Sequence, residues 1–172
     1  MPYASTSIAK TITVQTISVS LSVDNTRPKA GDTITFTGSV KSDTTPLADR
    51  SVNLYLIHPT GSPYWIIASG TTDSNGNFTA SWTVPYKVTK DTTTYNLPCS
   101  TWTFKLCDTW TGTCSSDLKI PIAYPTSMSI TTDKDTYAPG ETINVTAKLT
   151  YATDTGTYPL PNATIVFKLR IQ

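Results

Sequence analysis

The sequence predicts an all-β protein, a β-sandwich whose pattern recurs along the chain. Three observations carry that prediction. Threonine occurs 35 times in 172 residues, and charged residues make up only 15%, against about 25% in an average soluble domain. Thr, Val, Ile and Tyr suit a pleated, half-buried surface, while twelve prolines and eight glycines supply turns. Apolar residues alternate with Thr and Ser over short runs bounded by turn residues, the period of a strand with one buried face. Finally, the chain repeats itself: "PKAGDTITFTGSV" at 28–40 returns as "YAPGETINVTAKL" at 137–149.

Seven strands are predicted between residues 17 and 125. Leu21 and Val23 share one face of the first. In the second, Ile34, Phe36, Gly38 and Val40 alternate with Thr33, Thr35, Thr37 and Ser39. Val52, Leu54 and Leu56 mark the third, and "YWIIASG" at 64–70 the fourth. Phe78, Ala80, Trp82 and Val84 alternate with Asn77, Thr79, Ser81 and Thr83 in the fifth. Trp102, Phe104 and Leu106 carry the sixth, and "DLKIPIAY" at 117–124 the seventh. Trp82 and Trp102 fall on apolar faces and are predicted core residues. Seven such strands fill a sandwich, with one face of each strand inside and the hydroxyl face in water.

The repeat is domain-sized. Gly31 and Gly140 stand 109 positions apart, and that offset holds without a gap from Lys10–Val40 to Lys119–Leu149. After an insertion of four residues in a loop, where length change is tolerated, "PLADRSVNLYL" at 46–56 lies over "PLPNATIVFKL" at 159–169. The expected organisation is the last strand of one unit at 1–16, a complete unit at 17–125, and the first three strands of another at 126–172. "AKTITV" near the start lies over "LKIPIA" at 118–123. The opening "MPYASTSIAK" has no apolar leader core. The chain therefore reads as an excerpt of a longer array or as a product from which a leader was removed.

The stretches "TTDKDTYAPGETINVTAKL", "TPLADRSVNLYL" and "GTTDSNGNFTASWTVP" resemble the bacterial Ig-like domains of prokaryotic (bacterial or archaeal) cell-surface proteins. More distantly they resemble the macroglobulin-type domains of alpha-macroglobulins. The resemblance covers about 17–172. It implies tandem immunoglobulin-like β-sandwiches, with an Ala-Gly-Asp or Pro-Gly-Glu turn before the second strand, a Pro-Leu segment before the third and an Asn-Gly hairpin before the fifth. No thioester motif is present. The fold hosts many functions, so the resemblance says little about activity.

A net charge of +1 announces no basic face for nucleic acid or anionic lipid. No run approaches the ~20 apolar residues of a membrane helix. The one histidine, His58, precedes Pro59 at a strand end and reads as solvated rather than catalytic. "DSNGN" at 73–77 has spaced oxygen ligands, but an EF-hand counted from Asp73 needs Gly and Glu where Phe78 and Val84 stand. A tight turn around Asn75-Gly76 is the simpler reading. No metal and no cofactor is expected.

Cys107 and Cys114 flank a hairpin tip in "CDTWTGTC", a placement that meets disulfide distances. Cys99 is an alternative partner for either. A disulfide suits an oxidising, extracellular setting. Sequons at Asn77, Asn144 and Asn162 make three glycan sites available in a host that glycosylates. Trp110, Trp65 and Tyr64 are candidate surface contacts for sugars or a partner. The function expected is a non-catalytic structural segment of an extracellular stalk, adhesin, surface layer or filament, whose partners are neighbouring units or copies of itself, with possible glycans. Two alternatives stand beside it: a carbohydrate- or protein-binding accessory module of a secreted enzyme, and a filament subunit assembling by strand donation.

Overall fold

A computed structural model describes residues 16–168, all-β with no helix. The alternation read from the sequence sets the sheets. β1 (Ile17–Val23) pairs antiparallel with β2 (Thr33–Ser42), whose other edge takes β6 (Asn77–Thr83) and the two-residue β3 (Thr45–Pro46). The second sheet runs β10–β9–β4–β5, from β10 (Leu118–Ile122), β9 (Ser100–Asp108), β4 (Ser51–Ile57) and β5 (Tyr64–Thr71).

The inward positions of the two sheets face each other. Ile34, Phe36 and Val40 from β2 meet Leu54, Leu56 and Phe104, each with no exposed surface. Burial of one such side chain contributes about 1.5–3 kcal/mol. The Phe36 and Phe104 rings lie 5.0 Å apart across the sheets. Gly38 sits among them because a side chain would not fit: a Cβ there would lie 2.8 Å from the Ser20 carbonyl oxygen and run into Leu106. The end of β10 ties the sheets together, since Ala30 donates to the Ala123 carbonyl (2.9 Å) and Ala123 to that of Pro28 (3.0 Å).

Several expectations are corrected here. The Asn75-Gly76 turn does not join paired strands: β5 lies in the second sheet and β6 in the first, so the turn is a corner between sheets. Asp73 holds it by accepting from the amides of Asn75 and Asn77, both at 2.8 Å. Trp82 is only half-buried, packed at the core margin, whereas Trp102 is fully enclosed and donates to the Leu97 carbonyl. A hairpin of β7 (Lys87–Lys90) and β8 (Thr93–Asn96) was not foreseen, because each short strand turns a single apolar residue, Val88 or Tyr95, to the core, too few to show a period. His58 is half-buried rather than solvated, edge-on to Tyr95 and Trp102.

A third sheet follows: β11 (Thr126–Thr132), β12 (Val145–Thr153) and β13 (Gly156–Pro159). Its register reproduces that of the first. Each of the seven β1–β2 pairs, from Ile17↔Ser42 to Val23↔Phe36, has its counterpart 109 residues on, from Thr126↔Tyr151 to Thr132↔Val145. Local bonds recur too. Asp32 accepts from the Lys29 amide as Glu141 does from that of Ala138, both at 2.9 Å. Gly31 and Gly140, φ 94° and 90°, make the same left-handed turn.

The predicted third strand of this unit is absent among the described residues. Residues 163–168 form no strand, and Leu169 lies outside the described residues, as do 1–15 with the strand expected there. The reason is pairing. The counterpart segment in the first unit, β4, is held between β5 and β9, for which the second unit has no equivalents in the described residues. Likewise β12 starts three positions late relative to β2, because among the described residues no strand pairs where β6 would.

Candidate functional site

The residues singled out by the sequence are placed separately. Cys107 and Cys114 form a disulfide across the β9–β10 connection, with Cα atoms 4.0 Å apart. Cys99 is free and exposed. The disulfide loop is also held by charge. The Asp108 carboxylate, with no exposed surface, pairs with Arg50 through Nη2 and through Nε at 3.1 Å, and accepts from the Thr111 amide at 3.1 Å. Burial pushes the Asp108 carboxyl upward, but the bonds from Arg50 and Thr111 outweigh it and hold the group below its ordinary value. Trp110, 69% exposed, rides on the Arg50 guanidinium 4.5 Å from the ring centre.

Trp65 is half-buried and packs against the core. Its indole donates to the Thr89 carbonyl at 2.7 Å, and its ring packs on Tyr95 and Trp102. The hairpin that the sequence did not announce is what covers it. Tyr64 points outward, 57% exposed, beside Tyr55. Tyr55 was missed, though alternation along β4 opposite Leu54 and Leu56 carried the signal.

The sequon asparagines Asn77, Asn144 and Asn162 are all exposed. The Asn144 carboxamide donates to Asp133 at 2.9 Å, which also accepts from Tyr137. These bonds, the Tyr137 one first, lower the Asp133 carboxyl. Asn162 has φ 57°, matching Asp49 at φ 55° in the equivalent turn.

Among the described residues, no group of three His, Cys, Asp or Glu is placed to hold a metal, and no helix is long and apolar enough to cross a membrane. The single histidine bonds Thr60 at 2.8 Å, with no nucleophile–base–orienter arrangement around it.

Three residues, 123–125, join β10 to β11. Tyr86 stacks on Tyr124, and Tyr124 packs on Tyr151 at 5.3 Å. Lys87 bonds Asp154 at 2.8 Å, and Ala152 donates to the Pro125 carbonyl at 2.9 Å. Burial raises the Tyr124 phenol. Beyond the junction an apolar face lies open: Met128, Ile130, Ile143, Val145 and Phe167 are 40–56% exposed.

No protein-family model matches the chain, and no curated protein matches it. Among solved structures, a β-glucosidase from Listeria innocua in complex with glucose aligns at TM-score 0.40 and 9% identity, over 62% of this chain and 16% of that one. The Pseudomonas fluorescens alkylpurine DNA glycosylase AlkC, bound to DNA containing an abasic site analog, aligns at 0.39 and 11%, over 62% and 30%. The chain thus spans less than a third of either protein, and likenesses this slight bear on neither family nor activity.

Proposed function

We propose that this chain is a non-catalytic structural segment of an extracellular surface protein, in which tandem Ig-like units set spacing and transmit force. The observation that carries the reading is the recurrence at 109 residues of strand register, together with a junction too short and too well packed to act as a free hinge. Short Pro-containing linkers limit bending, and Tyr124 with the Lys87–Asp154 pair adds contacts on both sides. The Cys107–Cys114 disulfide supports an oxidising location.

Strand donation by residues 1–16 is the weaker assembly route. At offset 109 the buried Ile120 and Ile122 correspond to Thr11 and Thr13, so the segment would turn its hydroxyls to the core. A one-residue slip would correct the face but abandon the register.

Spin labels at Thr79 and Ser129 test the spacer reading through the distance distribution between units. A single narrow distribution that broadens in Tyr124→Ala is expected. A broad distribution in the unsubstituted chain would overturn it.

A further inference from the structure

The two outer faces of the complete sandwich differ in chemistry. On the first sheet the outward positions are hydroxyls, such as Ser20, Thr35 and Thr79, many bonded to each other; Ser20 meets Ser39 at 2.8 Å. On the second sheet the outward face carries Tyr55, Ile57, Tyr64 and Ile66, with Tyr64 57% and Ile66 53% exposed. A face that meets only water would not be built this way.

This face also carries a shallow, open depression. The disulfide loop at 108–114 rises beside β4 and β9 and closes one side of a groove of about 500 Å³ floored by Tyr55, Ile57 and Tyr64. The wall is fixed by the Cys107–Cys114 bond and by the Arg50–Asp108 pair. Two charged side chains reach the groove, and both are already neutralised: Lys105 by Asp117 at 2.8 Å, Asp108 by Arg50. Polar groups line it too: the phenol of Tyr64, and the Asn53 carboxamide, which accepts from Ser69 at 2.7 Å and donates to the Tyr55 phenol at 3.4 Å.

We propose that this groove is a binding site for a neutral saccharide. A sugar ring presents a C–H face to an aromatic floor and hydroxyls to an amide and phenols around it. A purely aliphatic ligand would cover the Tyr64 phenol without giving it a partner. An anionic one would find the lining lysine, Lys105, already paired with Asp117, and only Lys90, 5.9 Å over the Tyr64 ring, at the margin. A folded protein partner needs a broad patch of about 800 Å² a side, whereas the groove has the volume of a small-ligand site, roughly 300–1,000 Å³. The site is separate from the spacer role, so its failure leaves that reading standing.

The test is amide chemical-shift mapping and calorimetry on the whole chain with neutral tetrasaccharides of glucose, mannose, galactose and N-acetylglucosamine. Heparin serves as the anionic comparator. At least one neutral saccharide should bind, with shifts centred on Tyr55, Tyr64 and Gly112. Tyr64→Ala should weaken it roughly tenfold or more, about 1.4 kcal/mol, without lowering the melting temperature. Thr79→Ala, on the outward face of the first sheet, should leave affinity unchanged. No binding by any neutral probe at about 10 mM, affinity that survives Tyr64→Ala, or tighter binding of heparin would each overturn the proposal.

Discussion

Asp108 and Arg50 show how one buried pair fixes a loop. Asp108→Asn keeps the shape but leaves the mostly buried Arg50 without its counter-charge, and should cost roughly 3 kcal/mol at neutral pH. The carboxyl is depressed in the folded state. Its stabilisation is therefore present above the unfolded value of about 3.9 and is lost as pH falls through the lower folded value. Urea midpoints should show a large gap between wild type and variant at pH 7 that narrows below about pH 4. A gap that does not change with pH would mean the pair contributes no charge term. The tryptophans make a second test. Trp102 has no exposed surface, so Trp102→Ala should cost about 3–5 kcal/mol. Half-buried Trp82→Ala should cost roughly half as much, and Thr83→Ala within about 0.5 kcal/mol. Equal losses for the two tryptophans would contradict the burial difference.

Strand pairing explains why residues 109 positions apart behave differently. Gly38 on β2 lies under Leu106 of β9 and against the Ser20 carbonyl. Its counterpart on β12 is Ala147, half-buried, where no strand equivalent to β9 lies over it in the described residues. Gly38→Ala should therefore destabilise the complete unit by about 1–3 kcal/mol through overpacking, read as a lower urea midpoint at unchanged slope. Stability within error of wild type would show that β9 can shift to accept a methyl group. The disulfide adds a local constraint of its own. Opening its eight-residue loop should cost about 2.5 kcal/mol in the chain-entropy model, measured on Cys107→Ser/Cys114→Ser. A double variant as stable as wild type would mean that the Arg50–Asp108 lock suffices alone.

At the scale of the molecule the two segments that share the 109-residue register are unequal. Ile34 and Phe36 have no exposed surface, while their counterparts Ile143 and Val145 are 40% and 41% exposed. Leu54 is enclosed and its counterpart Phe167 is 52% exposed. Such a face recruits cover. The 172-residue chain is expected to self-associate through it with rising concentration, and Ile130→Glu with Val145→Lys should abolish the association. Sedimentation equilibrium decides this: ideal monomers at high concentration for the unsubstituted chain would show that the face is tolerated in water.

Sequence alone determined the strands whose apolar period is two. The faces of β2, β4 and β9 followed from Ile34, Leu54 and Phe104, because alternation needs no partner to be read. It also determined the 109-residue recurrence and brought Cys107 and Cys114 together, since those relations are local or self-referential. Other features depended on partners distant in sequence, and only the tertiary structure decided them. Trp65 became a core-margin residue because a hairpin 24 positions away takes its indole hydrogen. Segment 163–168 carries the same pattern as β4 yet forms no strand, because a strand exists only where another strand satisfies its backbone. The groove was decided last. Tyr55 and Tyr64 lie on different strands, and the loop beside them is raised by a bond between Arg50 and Asp108, 58 residues apart, a pairing that no local period encodes.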